Sequence, residues 1–204
     1  MKVRILFLIC FLSITCLLNA ADKPVIQIHT DNSSLIFRVA DNGRLYQSYL
    51  GKKLNHEADI SHLPQGTEAY ITHGMEDYFE PAIHILHNDG NPSLLLKYVS
   101  HETKAVSQGV NETIITLGDD KYPVTVKLHY VTYPAEDIIK TYTEISHKEK
   151  KPVVLHQYAS SMLHLNRAKY YLTEFSGDWA HEANISDQPL EFGKKVLDTK
   201  LGAR

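Results

Sequence analysis

Adjacent carboxylates are the first residues in this chain whose types could do chemistry. They stand at Glu76-Asp77, Asp119-Asp120 and Glu136-Asp137. Hydrolysis of a glycosidic bond needs two carboxyl groups about 5 to 10 Å apart across a sugar ring. Sequence neighbours do not supply that geometry. Asp119-Asp120 follows Gly118, and Glu136-Asp137 follows Tyr133-Pro134. At such turns, acids cap backbone N–H groups or sit in water. Glu76-Asp77 keeps different company. It lies in residues 56–81, which are rich in His, Gly, Pro and acids and alternate little. A long irregular connection inside a compact domain is often where function resides.

Other chemistries find less support. Twelve histidines are present, with His84 and His87 three apart, a spacing that shares a face on a helix but not on a strand. No spacing matches a zinc site, so no metal and no cofactor is expected. There is no G-x-S-x-G elbow and no G-x-x-x-x-G-K phosphate loop. Asn32, Asn111 and Asn184 head N-x-S/T sequons, which matter only in a eukaryotic host. The single tryptophan, Trp179, follows Gly177-Asp178 and fits either a core plug or a platform for the apolar face of a sugar.

The elements that must position these residues are strands. The first twenty residues stand apart. Lys2 and Arg4 precede an apolar run over 5–18, and small residues follow at Ala20 and Ala21. That layout predicts a signal peptide over 1–20, a mature chain over 21–204, and a secreted or periplasmic location. Both cysteines, Cys10 and Cys16, fall in the leader, so the mature chain has no disulfide and no thiol nucleophile. Loss of Lys2 and Arg4 moves the formal charge from −3 to −5. Such a chain has no cationic excess with which to bind nucleic acid.

Beyond residue 20, period-two alternation rich in Val, Ile, Thr and Tyr dominates. It predicts strands over 25–30, 35–40, 45–50, 94–102, 112–117, 124–133, 138–146, 153–165 and 170–175. Asp41-Asn42-Gly43 supplies the backbone freedom of a tight hairpin. The charged run 148–151 reads as a solvated hairpin tip. Many short strands without intervening helices predict an all-β, large antiparallel β-sandwich.

Several phrases then line up in one order: Leu45-Tyr46 with Gly51-Lys52-Lys53-Leu54, Asp77-Tyr78-Phe79-Glu80-Pro81-Ala82-Ile83, Leu96 to Glu102, Asp120-Lys121-Tyr122-Pro123, Phe175 to Glu182, and the terminal Leu201-Gly202-Ala203-Arg204. Together they resemble the amino-terminal domain of glycoside hydrolase family 36, the α-galactosidases, from about residue 25 to the end. The resemblance implies a supersandwich-like β domain that precedes a (β/α)8 barrel, where two Asp residues perform retaining hydrolysis of terminal α-galactosides. A barrel needs about 250 residues, and the barrel's phrases have no counterpart here. No catalytic residue is therefore assigned.

By that resemblance, Asp77 and Trp179 are the candidate substrate contacts. The family phrase around Asp77 carries an Arg where Phe79 stands, and Phe cannot replace the planar fork of donors. The implied partners are the barrel, α-galactoside sugars and, in the complete enzyme, further copies of the chain. The expectation is a non-catalytic domain or fragment that supports the barrel and the subunit interface. The alternatives are a stand-alone carbohydrate-binding sandwich and a scaffold with no sugar role.

Overall fold

A computed structural model describes residues 23–75, 80–165, 169–178, 181–191 and 193–198, with no side-chain placement for Asp178 and His181. Residues 1–22, Glu76, Asp77, Phe79 and Trp179 lie outside the described residues. Twelve strands and one short helix are present among the described residues. They are β1 Val25–His29, β2 Ser33–Val39, β3 Leu45–Lys52, α1 Glu57–Ser61, β4 Thr67–Glu68, β5 Ile83–Leu86, β6 Lys97–Ser107, β7 Val110–Gly118, β8 Val124–Tyr133, β9 Ile138–His147, β10 Val154–Tyr158, β11 Tyr171–Asp178 and β12 His181–Pro189. Among the described residues, no helix is long and apolar enough to cross a membrane.

The chain divides into two compact units, one ending at Ser161 and the other beginning at Met162. The first contains two four-stranded antiparallel sheets, β1-β2-β3-β4 and β6-β7-β8-β9, and the antiparallel pair β5-β10. Alternation in β8 explains its position. Val124, Val126, Leu128 and Tyr130 are buried and share one face. Phe37 of β2 meets Tyr130 of β8 at 5.2 Å between ring centroids, which joins the two large sheets through their inner faces. The Asp31 N–H also donates to the Pro134 carbonyl at 3.2 Å. Ser34, Leu35, Ile36 and Phe37 are all buried although they are consecutive. A register shift between Ile36 and Phe37 breaks the simple alternation.

The second unit holds the antiparallel hairpin β11-β12. The register places Phe175 opposite Ile185 and Tyr171 opposite Pro189. Phe175, Ile185 and Tyr171 are 57, 68 and 65 % exposed, so the hairpin carries an open apolar face.

The antiparallel all-β reading holds, and several element boundaries change. The strand expected over 153–165 ends at Tyr158, where the Ala159 N–H turns to the Ala82 carbonyl at 2.7 Å. β6 and β7 run further than expected because Gly109, at φ +74°, closes them into one long hairpin. β4, β5, β12 and α1 have no counterpart among the predicted elements. β12, sequence HEANISDQP, has Ile185 as its one large apolar residue, too little to show alternation, and owes its form to pairing with β11.

Candidate functional site

The connection that carries Asp77 leaves and re-enters the sandwich through buried residues. Ala69, Tyr70 and Ile71 lead out, and Ala82 and Ile83 lead back, each 2 % exposed or less. The two legs are sewn together. The Ala82 N–H donates to the Ile71 carbonyl at 2.7 Å, and the His73 N–H donates to the Ile83 carbonyl at 2.9 Å. β10 and the residue after it add three further ties. Gln157 Nε2 donates to the Pro81 carbonyl at 2.7 Å and approaches Glu80 Oε1 at 3.3 Å, and the Tyr70 hydroxyl donates to the Ala159 carbonyl at 2.8 Å. Gly74, at φ +85°, supplies the left-handed turn that starts the excursion.

β5 decides where the histidines go. Ile83 and Ile85 fill the core, so His84 points to the opposite face and His87 returns inward. The two therefore do not form a pair. His84 instead lies between His73 and His156, with ring centroids at 3.7 Å and 4.8 Å. Among the described residues, no group of three His, Cys, Asp or Glu is arranged to hold a metal ion.

His87 enters a separate cluster. Its Nδ1 meets Glu149 Oε1 at 2.6 Å and its Nε2 meets the Ser93 carbonyl at 3.1 Å, with both side chains almost wholly buried. Tyr122 stacks on the imidazole at 3.6 Å and donates its hydroxyl to Asp89 at 2.9 Å. Burial pushes the Glu149 carboxyl up, but bonds from His87 and Asn88 outweigh it and leave the group below its ordinary range. This corrects the solvated-tip reading of 148–151: the tip is pinned, because an acid within it satisfies a buried histidine.

A third cluster lies on the outer face of the β6-β7-β8-β9 sheet. Glu112 accepts from the Tyr142 hydroxyl at 2.6 Å and from His129 Nδ1 at 2.9 Å, and pairs with Lys104 at 3.0 Å. The Tyr142, His129 and Lys104 bonds pull its carboxyl down to about 2, against a smaller upward push from burial. The register that places His129 opposite Tyr142 creates the group.

The paired acids at turns behave as expected. Asp119 accepts from the Lys121 and Tyr122 N–H groups at 2.6 and 2.8 Å, and Asp120 pairs with Lys97. Asp137, at φ +56°, accepts from Ser33 and Thr30. A pocket of about 190 Å³ lies beside Asp119 and Asp120, lined also by Met75, Asn91, Ser93, Leu94 and Tyr122. Among the described residues, the carboxylates whose side chains are buried are bound within the fold: Glu68 to Arg44, Glu112 to its three donors, and Glu149 to His87 and Asn88. None of these clusters was visible in residue spacing alone, although the predicted strands 124–133 and 138–146, once set in register, would have brought His129 to Tyr142.

Residues 43–204 match the model of the glycosyl hydrolase family 36 N-terminal domain. The chain belongs to that family. Relatives of this amino-terminal domain include the probable α-galactosidase G of Aspergillus terreus, 24% identical over 142 residues, which is 63% of this chain and 20% of that protein. The α-galactosidase C of Emericella nidulans is 25% identical over 142 residues, 63% of this chain and 19% of that protein. Among solved structures, a family 36 α-galactosidase from Geobacillus stearothermophilus superposes with a TM-score of 0.74 at 19% identity, over 83% of this chain and 28% of that one. The α-galactosidase from Lactobacillus brevis gives 0.71 at 21%, with the same coverage. These structures share the fold of the family 36 amino-terminal domain. The chain spans about a fifth of the first relatives' length and under a third of the structural neighbours'.

Proposed function

We propose that this chain is the non-catalytic amino-terminal sandwich of an exported α-galactosidase-like enzyme. The observation that carries the reading is the family match over 43–204 on a chain whose relatives are several times longer. In this reading, residues 1–20 direct export and 21–204 form the mature domain. A (β/α)8 barrel supplies the two carboxylates for retaining hydrolysis of terminal α-galactosides. The sandwich supports that barrel and the contacts between subunits. Asp77 and Trp179 are its candidate contributions to the sugar site.

Two features support a supporting role. The buried acids are committed to structural partners, as described above. Each unit also carries apolar side chains suited to being covered by another surface. In the first unit these include Val99, Val154 and Tyr158, at 61, 51 and 64 % exposed. In the second they are Tyr171, Phe175 and Ile185.

Purified chain from which the leader has been removed should leave a chromogenic α-galactoside intact. Sustained turnover, with contaminants excluded by an inert control preparation, overturns the non-catalytic reading. Calorimetry with galactose and raffinose separates it from a free-standing sugar-binding module, for which affinity tighter than about 1 mM is required.

A further inference from the structure

β6 closes one side of the β6-β7-β8-β9 sheet, and no strand lies beyond it among the described residues. Residues 99–107 of β6 are all exposed. An edge of this kind presents a row of N–H and C=O groups to any chain that lies down beside it. Two bulges fall in β6, between Tyr98 and Ser100 and between Ala105 and Ser107. They bracket a regular stretch from Ser100 to Ala105, which sets the length over which a further strand could pair.

The register with β7 fixes which side chains share a face. Ser100, Glu102 and Lys104 stand opposite Thr116, Ile114 and Glu112. Lys104 Nζ reaches Glu112 at 3.0 Å, yet its side chain is still 54 % exposed. His101, Thr103 and Ala105 take the other face. A lysine on an edge ordinarily blunts it, because a second copy brings the same charge to the same place. Here Glu102 stands two residues away on the same face, so a copy turned through half a circle can meet Lys104 with the opposite charge.

Geometry leaves few ways to do this. In an antiparallel pair, residues directly opposite each other point to the same face. A two-fold axis between two copies of β6 must therefore pass through a residue, not between two. An axis at Glu102 sets Glu102 against itself, and an axis at Lys104 sets Lys104 against itself. An axis at His101 brings Glu102 to Ser100 and forms no ion pair. An axis at Thr103 brings Glu102 to Lys104 twice, once on each side. It also sets Thr103 against Thr103, a β-branched pairing that sheets favour.

We propose that β6 is a self-complementary edge that pairs antiparallel with β6 of a second copy of this chain, about a two-fold axis at Thr103. The contact is isologous, so it closes at two copies and does not propagate. It joins two four-stranded sheets into one continuous sheet through main-chain hydrogen bonds, and the Glu102–Lys104 pairs select the register. The inference rests on the reading that the sandwich carries contacts between subunits. Turnover and sugar-binding assays test the rest of that reading, and sedimentation tests this edge.

The leader-free chain should sediment as a monomer–dimer equilibrium between about 10 and 200 µM. Glu102→Lys, at an exposed position, replaces both attractions with repulsions and should weaken the dimer at least about tenfold. The double variant E102K/K104E keeps the net charge and restores both pairs in reverse, so it should dimerise again. Alternate amides between Ser100 and Ala105 should gain protection from hydrogen exchange as concentration rises, while those of β9, the opposite edge, should not. A chain that stays monomeric at about 200 µM overturns the proposal. So does a dimer indifferent to Glu102→Lys, which would be built on another surface such as the β11-β12 hairpin. A double variant that melts cooperatively and stays monomeric overturns it as well.

Discussion

Glu112 and Glu149 are both acids, yet the fold holds them in different ways. Glu112 lies on a sheet face, where Tyr142, His129 and Lys104 converge on it and hold its carboxyl down at about 2, against an ordinary 4.5. The folded chain thus gives up this proton more readily than the unfolded chain. Its contribution to stability is complete above pH 4.5 and is lost as the pH falls towards 2. Glu112→Gln should cost about 1–2 kcal/mol at neutral pH, allowing for solvent screening at Lys104. Urea titrations should find that gap narrowing in acid, since the wild type loses there what the variant never had. Glu149 is different because His87 and Asn88 are its partners and, among the described residues, no exposed lysine shares it, whereas Glu112 also reaches the half-exposed Lys104. Glu149→Ala leaves His87 and Asn88 without their acceptor and should cost about 3–5 kcal/mol, whereas Lys150→Ala nearby should change stability by less than about 0.5 kcal/mol. Equal effects in thermal melts would restore the solvated-tip reading of 148–151.

At the scale of elements, pattern told most where one face is wet and the other dry. β8 was legible because Val124, Val126 and Leu128 alternate with Thr125 and Lys127. β5 was not, because four residues are too few to establish a period and His84 reads as easily in a loop. β12 was not, because a single large apolar residue, Ile185, cannot establish a period. Turn glycines also differ in what the neighbouring element demands. Gly66 has φ +82°, and a Cβ there would collide with the Gln47 carbonyl of β3. Gly90 has φ +85° and nothing within 4 Å of such a Cβ. Gly90→Ala should therefore cost only the left-handed strain, about 1 kcal/mol. Gly66→Ala must also displace β3, and should cost upwards of about 3 kcal/mol. Chemical denaturation of the two variants side by side measures the difference.

At the scale of the whole molecule, two open surfaces bear on the proposal that this sandwich is part of a longer enzyme. A two-stranded hairpin on its own is marginal in water, and β11-β12 keeps Phe175 and Ile185 open on one face. The long edge strand β6 is exposed along most of its length, and such edges pair readily with other chains unless something covers them. A catalytic barrel over the hairpin and a second copy along β6 would account for both features. The absence of turnover expected from the isolated chain belongs to this scale, because the proposed reading places the reacting carboxylates in a different domain.

The sequence by itself determined the strand-rich fold class and the family, because alternation and the order of phrases such as Glu80-Pro81-Ala82 and Asp120-Lys121-Tyr122-Pro123 are local properties of the chain. The commitment of the acids was decided by tertiary structure alone. Glu149 reaches His87 across 62 residues and Glu112 reaches Tyr142 across 30, and His73 meets His84 only because Thr72 bridges to Ile83. Such partners are chosen by register and by the return path of a connection. Neither is written into the spacing of the residues concerned.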